Sequence, residues 1–174
     1  MMSGNEERPT PAIIQALLNV GVRQAGIARM FGVSRQAIFD TCKRYGLYRQ
    51  TRQELLDEFW PWDVPAGMTN QSPYKRLRDH GEYTLTNGKG VDGKGMTEDV
   101  LSRLRSFYRD LRVNNLIIEF DPSIPPQPGF ANRGGFIYRK RRKSDNDLLI
   151  RVNEYTKDLP EERMRVWKFP SREP

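Results

Sequence analysis

Five polar residues in the first third of the chain have side chains suited to hydrogen bonding. They are Ser34, Arg35, Gln36, Asp40 and Lys43. Arginine can donate two parallel hydrogen bonds to a pair of acceptors, and glutamine can donate and accept at once. None of the five is needed to pack a core, so we expect most of them to face outward. The chemistry they offer is recognition through hydrogen bonds.

Residues for bond-breaking chemistry are scarce. The chain has one histidine, His80, and one cysteine, Cys42, too few for a zinc site of the usual spacing or a Cys/His nucleophile. The stretch 88–95 is rich in glycine and lysine but lacks the GK[ST] ending of a phosphate-cradling loop. Four acids could be imagined as a metal cluster: Glu119, Asp121, Asp145 and Asp147. Acids at strand ends more often face solvent or form turns, so we expect no enzyme, metal or cofactor.

Two short helices and a tight turn should position the five polar residues. Thr10 and Pro11 predict the start of a first helix, and a second covers 23–31. Ser34 caps a third helix that ends near Tyr45, just before Gly46. The remaining residues of the pattern are Ala28 for close helix crossing, Gly32 for a positive φ, and apolar Ile27, Phe31, Val33 and Ile38. Such spacing is typical of a DNA-binding helix-turn-helix, although three-helix clusters also serve as plain scaffolds.

One position departs from the pattern, because Thr41 stands where an aliphatic residue is usual and Cys42 could share that buried role. In a helix-turn-helix, Arg35 can pair with guanine and Gln36 with adenine. Asp40 either accepts from a cytosine amino group or holds Arg35 or Lys43 in place. Three further residues are placed for phosphate contacts: Arg23, Gln24 and Arg44.

The positive charge lies in two regions of the chain. The net charge is +7, with +4 in residues 1–50, +5 in the run 139–143 and −2 in the remainder. A polyanion that touches both regions would explain this distribution, since phosphate neutralisation dominates nucleic-acid affinity. The alternative is ordinary surface charge, because many basic proteins bind nothing in particular.

The sequence predicts a mainly α protein with small β content. We expect a disordered tail (1–9), a helix-turn-helix domain (10–50), a linker helix with a Trp-Pro-Trp junction (51–64), and an α+β domain with a small antiparallel sheet (65–174). "TRQE" at 51–54 is a capping box that starts the linker helix. In the last domain we expect helices over 72–81 and 97–112 separated by a flexible glycine loop. A strand at 115–120 precedes a hairpin formed by 134–140 and 147–152.

Further phosphate candidates lie in the second half of the chain. They are Lys75, Arg76, Arg78, Lys89, Lys94, Arg139, Lys140, Arg141, Arg142 and Lys143. The last five would form a hairpin tip that either meets a DNA backbone or minor groove or remains a mobile, solvated loop. Two DNA-contacting domains on one chain would let a monomer read an asymmetric site.

Several long strings carry a family resemblance. They are "WPWD" (60–63), "RLRDHGEY" (76–83), "LIIEFDPSIPP" (116–126) and "DNDLLIRVNEYT" (145–156). With the N-terminal helices, and in matching order over 23–155, they resemble the L5-like immunity repressors of temperate mycobacteriophages. The resemblance implies a monomeric transcriptional repressor that maintains lysogeny and confers immunity. It implies short asymmetric operators and related sites across the phage genome, at which transcription can also be halted.

The expected location is the cytoplasm of the bacterial host, at the nucleoid. No apolar run is long enough for a membrane span, and the N-terminus has no apolar signal core. Two other functions stay open. The DNA-targeting part of a recombinase or transposase would need a catalytic Ser, Tyr or acidic triad that we do not find. A protein-interaction adaptor would use Trp60 and Trp62 as its docking surface.

Overall fold

The computed structural model describes residues 8–174, so the tail predicted at 1–9 lies outside the described residues except for Arg8 and Pro9. The elements are α1 (Pro11–Asn19), α2 (Gln24–Met30), α3 (Arg35–Tyr45), α4 (Arg52–Asp57), α5 (Ser72–Thr86), α6 (Glu98–Val113), β1 (Leu116–Phe120), β2 (Phe136–Lys140) and α7 (Glu161–Met164). Short 3₁₀ turns lie at Ala66–Met68, Lys143–Asp145 and Arg165–Trp167. The protein is mainly helical with a small antiparallel sheet, as predicted. Among residues 8–174, no helix has the length and apolar character needed to cross a membrane.

Side-chain capping explains where the first helices begin. The Thr10 hydroxyl accepts a hydrogen bond from the Ile13 N–H at 3.3 Å, and the Ser34 hydroxyl accepts from the Ala37 N–H at 3.1 Å. Each such cap satisfies a donor that the helix leaves open and contributes about 1 kcal/mol. α3 ends at Gly46, which has a φ of 62°. These helix boundaries were predicted and are confirmed.

The first three helices enclose a small core that we call the helical cluster. It contains Ile14, Leu18, Ile27, Ala28, Ile38 and Cys42. Gly32, with a φ of 62°, reverses the chain between α2 and α3. Thr41 is half-buried and donates its hydroxyl hydrogen to the Ala37 carbonyl at 2.8 Å, so Cys42 takes the buried position as expected.

The rest of the chain encloses a larger core, the aromatic core, formed by residues of α5, α6, the sheet and the C-terminal turn. Trp60 and Trp62 belong to it, with 9% and 1% of their surfaces exposed. Trp167 is fully buried, and its indole N–H donates to the Phe59 carbonyl at 2.8 Å. Because Trp60 and Trp62 are covered by their own chain, the adaptor hypothesis that used them as a docking surface is wrong.

The strand pairing differs from the prediction. β1 and β2 pair in antiparallel register, with Phe120 opposite Phe136 and their ring centroids 4.9 Å apart. The hairpin predicted between 134–140 and 147–152 is therefore wrong, because the partner of β2 is β1. The proline-rich stretch 121–135 connects the two strands, where the missing donors of proline cost no ladder hydrogen bond.

The segment 148–151 lies along the other edge of β1. The Ile118 N–H donates to the Leu149 carbonyl at 3.0 Å, and the Arg151 N–H donates to the Ile118 carbonyl at 2.8 Å. This is an isolated parallel bridge between Ile118 and Ile150 and not a third strand. Leu149 and Ile150 are nevertheless fully buried, since they cover the edge of β1.

α5 continues five residues beyond its predicted end at Gly81. Gly81 lies inside the helix, where a Cβ atom would come within 2.6 Å of the Leu56 side chain and 3.4 Å of Trp167. The glycine therefore serves the close packing of α5 against α4 and the C-terminal turn. The helix ends instead at Asn87, whose φ of 51° breaks the helical path.

His80 is fully buried on α5, as a structural side chain. Its Nδ1 lies 2.8 Å from the Tyr108 hydroxyl and its Nε2 lies 2.6 Å from the Val166 carbonyl. The carbonyl can only accept, so Nε2 carries the hydrogen and Nδ1 accepts from Tyr108. Burial lowers the pKa of His80 from 6.5 to about 4, and the hydrogen bond to the Val166 carbonyl partly opposes this shift. The neutral imidazole therefore holds α5, α6 and the C-terminal turn together.

This burial makes stability depend on pH in a defined window. The unfolded chain binds a proton at His80 below pH 6.5, whereas the folded chain resists it down to about pH 4. The contribution of His80 is therefore complete above pH 6.5 and declines toward pH 4. We expect the free energy of unfolding to fall by about 2 kcal/mol between pH 8 and pH 5, as measured by urea denaturation.

Because His80 is the single histidine of the chain, its imidazole resonances can be followed by NMR without assignment ambiguity. They should stay at the positions of neutral imidazole down to pH 5. Titration with a midpoint near 6.5 in the folded protein would contradict the burial argument.

Candidate nucleic-acid interface

The outward face of α3 carries four exposed side chains: Gln36, Phe39, Asp40 and Lys43. Residues three and four apart share one side of a helix, so these four form a continuous face. Ile38 and Cys42 lie on the opposite side and are buried in the helical cluster. Ser34 and Arg35 are exposed at the N-terminal end of the helix. All five residues predicted to read bases are thus exposed, four on α3 and Ser34 at its N-cap.

Asp40 has a defined partner within this face. The Gln36 amide donates to the Asp40 carboxylate, with 2.8 Å between Nε2 and Oδ1. Of the roles considered for Asp40, holding a neighbour is observed, but the neighbour is Gln36 and not Arg35 or Lys43. This hydrogen bond restricts the Gln36 side chain and engages its NH2 group.

Phe39 is a member of this face that the sequence interpretation missed. Its side chain is 48% exposed, although phenylalanine is usually buried. The signal was available in the sequence, because Phe39 lies three residues after Gln36 and four before Lys43. An aromatic side chain at this place can make apolar contacts with the methyl group of thymine.

The residues predicted to flank this face differ in exposure. Arg23, at the N-cap of α2, and Arg44, in the last turn of α3, are exposed. Gln24 is half-buried. Burial raises the pKa of the Cys42 thiol, and the Gln24 side chain partly opposes the rise. Arg23 and Arg44 are therefore more accessible to a phosphate than Gln24.

The cationic run 139–143 is not a hairpin tip, because Arg139 and Lys140 lie on β2 itself. Arg139 pairs with Glu119 on β1 at 2.7 Å, and Lys140 donates to the Asn114 carbonyl at 2.8 Å. These contacts lower the repulsion expected among five consecutive cations. The structure does not show the run as a loop from end to end, because Arg139 and Lys140 belong to β2.

Arg141 is a structural residue. Its guanidinium donates to the carbonyls of Asn146, Leu148 and Leu116 at 2.9, 2.7 and 3.1 Å. It therefore ties the turn after β2 to the start of β1. Arg142 and Lys143 follow it and are exposed, so they are the members of the run most accessible to a partner.

Asp145 closes the same turn, which is the turn-forming role expected for the strand-end acids, and it is buried. Its carboxylate pairs with Arg151 at 2.8 Å and accepts from the Arg142 N–H at 2.6 Å. Burial alone would raise the pKa of Asp145, but the hydrogen bonds from Arg151 and Arg142 lower it overall. Asp121 forms a turn as expected, accepting from the Ser123 N–H and hydroxyl.

A second polar surface lies between α5 and α6. An open cleft of about 460 Å³ is lined by Ser72, Lys75, Arg76, Ser102, Arg103, Ser106, Phe107, Asp110 and Tyr138. Lys75 and Arg103 are exposed, whereas Arg76 is half-buried and pairs with Asp79 at 3.0 Å. Burial, with help from Asp110, raises the pKa of Tyr138 to about 12, so its hydroxyl stays protonated and can donate. Arg103 was not predicted from the sequence.

The remaining predicted phosphate contacts are spread over other surfaces. Arg78 lies over the Tyr74 ring, 5.7 Å from its centroid, and does not line the α5–α6 cleft. Lys89 and Lys94 are exposed on the loop 87–96. This loop is closed by backbone hydrogen bonds from Gly95 to Lys89 and from Met96 to Gly88, at 2.7 and 3.1 Å. The loop therefore has a defined backbone path, and its flexibility stays a prediction.

Exposed recognition-type side chains on a small helical cluster, with cationic surfaces elsewhere, are typical of a regulatory protein. No family model matches the chain. The sequence is 41% identical over 157 residues to the repressor-like immunity protein of Mycobacterium phage L5. The match covers 90% of this chain and 82% of that relative. The chain therefore belongs to the family of L5-like phage immunity repressors and is a non-enzymatic regulator.

The contacts of the cationic run generate a prediction about stability. Arg141→Ala leaves three carbonyl groups without their charged donor, so we expect the free energy of unfolding to fall by about 2–3 kcal/mol. Arg142→Ala removes the neighbouring exposed cation, and we expect a change within about 0.5 kcal/mol. Urea denaturation of both variants measures the difference. Equal effects of the two substitutions would mean that the Arg141 contacts add no stability.

Proposed function

We propose that this protein is a sequence-specific repressor that binds double-stranded DNA and maintains phage lysogeny and superinfection immunity. The observation that carries the proposal is the exposed face of α3, where Gln36, Phe39, Asp40 and Lys43 lie beside Arg35. The opposite face of α3 is buried, so the exposed side chains are available for an intermolecular contact. The family relation to a repressor-like immunity protein supports the same function. Its site of action would be DNA in the cytoplasm of the bacterial host.

In this proposal α2 and α3 form a helix-turn-helix, and α3 enters the major groove. Arg35 and Gln36 lie in the first turn of α3, the part of a recognition helix that reaches base edges. Arginine pairs with guanine and glutamine with adenine. The hydrogen bond to Asp40 restricts Gln36 before binding, which reduces the entropy lost when the contact with a base forms.

Two exposed arginines are the candidates for phosphate contacts beside α3. Arg23 is the N-cap residue of α2, and Arg44 lies in the last turn of α3. Arginines beside a groove-binding helix commonly contact the phosphate backbone, which positions the helix without reading sequence. We assign Arg23 and Arg44 this role, with Gln24 as a weaker candidate because its side chain is half-buried.

The α5–α6 cleft is the second DNA-contacting surface in this proposal. Lys75 and Arg103 supply charge, and the hydroxyls of Ser102, Ser106 and Tyr138 supply donors that can reach phosphate oxygens. Arg142 and Lys143 extend the positive charge beyond β2. A chain with two different DNA-contacting surfaces can read an asymmetric operator as a monomer, whereas a symmetric dimer requires a palindrome.

The first test addresses base reading. Duplexes selected by the native protein from a random pool define the operator, and the stoichiometry of the complex shows whether one chain is sufficient. Gln36→Ala or Arg35→Ala should relax the preference at one or two positions and cost about 1–3 kcal/mol on the selected duplex. Equal losses on selected and scrambled duplexes would show that these side chains contact only phosphate.

Gln53→Ala is a matched control for Gln36→Ala. The Gln53 amide donates to Asp57 four residues later on α4, as Gln36 does to Asp40 on α3. Both substitutions therefore remove the same type of intrahelical hydrogen bond. Only the substitution on α3 should change base preference.

The second test addresses the phosphate contacts of the cleft. We expect Lys75→Ala combined with Arg103→Ala to make the negative slope of log K against log salt concentration shallower by about 2, where K is the association constant for DNA. Each lost phosphate contact removes about 0.9 from the magnitude of this slope. The selected DNA sequence should remain the same. Fluorescence anisotropy over a series of salt concentrations measures the slope.

A double variant with the same change in net charge serves as the control. Arg163→Ala combined with Arg165→Ala removes two cations that pair with Glu58 and Glu161. We expect its salt slope to stay close to that of the native protein. If both double variants make the salt slope equally shallower, the effect comes from net charge and the cleft is not a contact surface.

A further inference from the structure

The loop 87–96 makes an unusually close contact with the turn between α1 and α2. A Cβ atom on Gly21 would lie 1.5 Å from the Asp92 carbonyl oxygen, so the hydrogen in its place points at that oxygen. A Cβ atom on Gly93 would lie 2.4 Å from the Val20 carbonyl oxygen. The contact is reciprocal, and each side of it requires a glycine. We call these four residues the glycine joint.

The glycine joint connects the two hydrophobic cores. Gly21 follows α1 of the helical cluster, whereas Gly93 belongs to the loop between α5 and α6 of the aromatic core. An ion pair between Arg49 and Asp92, with 3.5 Å between Nη2 and Oδ2, joins the same two regions. Arg49 lies between α3 and α4, so a second part of the N-terminal region is held to the loop.

The loop itself is fixed to the helices behind it. One oxygen of the Glu82 carboxylate accepts from the Val91 N–H at 3.1 Å, and the other pairs with Arg52 at 3.0 Å. Arg52 also pairs with Asp79 at 2.6 Å. The base of the loop is thus bound to α5 and, through Arg52, to α4. The loop that contacts the helical cluster is therefore tied to both α4 and α5.

We infer that the glycine joint fixes α3 in position relative to the aromatic core and its α5–α6 cleft, so that Gly21 and Gly93 act as positioning residues for DNA binding. The consequence for DNA rests on the proposed function. A fixed arrangement lets two surfaces on one chain engage one duplex without first losing the freedom to move relative to each other. Preorganisation of this kind increases affinity because it lowers the entropic cost of binding.

The test compares two glycines in the same loop. Gly93 and Gly95 have φ values of 68° and 90°, so alanine is strained at both. Only at Gly93 would the new Cβ meet another part of the chain, since a Cβ on Gly95 has nothing within 4 Å. Gly95→Ala therefore controls for backbone strain, and Gly93→Ala adds the steric clash with Val20.

Pulsed electron paramagnetic resonance can measure the arrangement without DNA. Spin labels at Met30→Cys and Val113→Cys report the distance between the two cores, because both side chains are exposed at 61% and 76% and Cys42 is only 4% exposed. We expect a narrow distance distribution in the labelled parent and in Gly95→Ala, and a broader or displaced one in Gly93→Ala. A distribution in Gly93→Ala equal to that of Gly95→Ala would overturn the inference, and so would a broad distribution in the parent.

A second variant covers the case in which Gly93→Ala fails to fold. Arg49→Gln removes the ion pair to Asp92 without adding strain to the backbone, and Arg163→Gln removes a comparable exposed pair to Glu58 elsewhere. We expect broadening with Arg49→Gln alone. Equal distance distributions in these two variants would contradict the inference.

The same variants connect the joint to DNA. On the selected duplex, Gly93→Ala should bind about tenfold more weakly than Gly95→Ala, because the two surfaces no longer act as one preorganised unit. Equal affinity would overturn the positioning role. If the native chain selects no duplex, the proposed function fails. The distance measurement still decides whether the glycine joint fixes the two cores relative to each other.

Discussion

The larger part of the structure depends on the burial of the C-terminal turn that contains Val166 and Trp167. The Trp167 indole donates to the Phe59 carbonyl just beyond α4, and the Val166 carbonyl accepts from His80 on α5. The Leu149 N–H donates to the Trp167 carbonyl at 2.7 Å, which adds the segment beside β1. One short turn thus satisfies polar groups from three distant parts of the chain. Its hydrogen bonds lie within an apolar interior, where leaving a partner unpaired is costly.

The same constraint explains why several cations are not available for binding. Arg141 and Arg151 satisfy carbonyl and carboxylate groups around the turn after β2, and Arg52 joins α4 to α5. A guanidinium can make several hydrogen bonds in one plane, which suits it to such connecting positions. The net charge of +7 therefore does not measure the charge offered to a partner. Exposure and internal pairing decide which arginines and lysines can meet a phosphate.

Local sequence signals predicted most helix boundaries well. Long-range contacts explain why the predicted end of α5 and the predicted partner of β2 were wrong. Thr10, Ser34 and the capping box at Thr51 act within one turn of the chain, so their effect can be read from neighbouring residues. Gly81 resembled a helix stop, but its role is to let Leu56 approach from a segment 25 residues away. The pairing of β1 with β2 across a proline-rich connection is likewise long-range. Sequence periodicity identifies a strand but does not choose its partner.

The candidate interface shows the same division between local and long-range information. The exposed face of α3 follows from helical periodicity, which places Gln36, Asp40 and Lys43 together whatever surrounds them. Phe39 was overlooked because its residue type predicts burial, although the same periodicity places it on the outer face. The α5–α6 cleft could not be foreseen, since it needs two helices from separate stretches to lie side by side. A regulator built from such surfaces depends on tertiary contacts, and not on residue composition, to bring its charged groups into one arrangement.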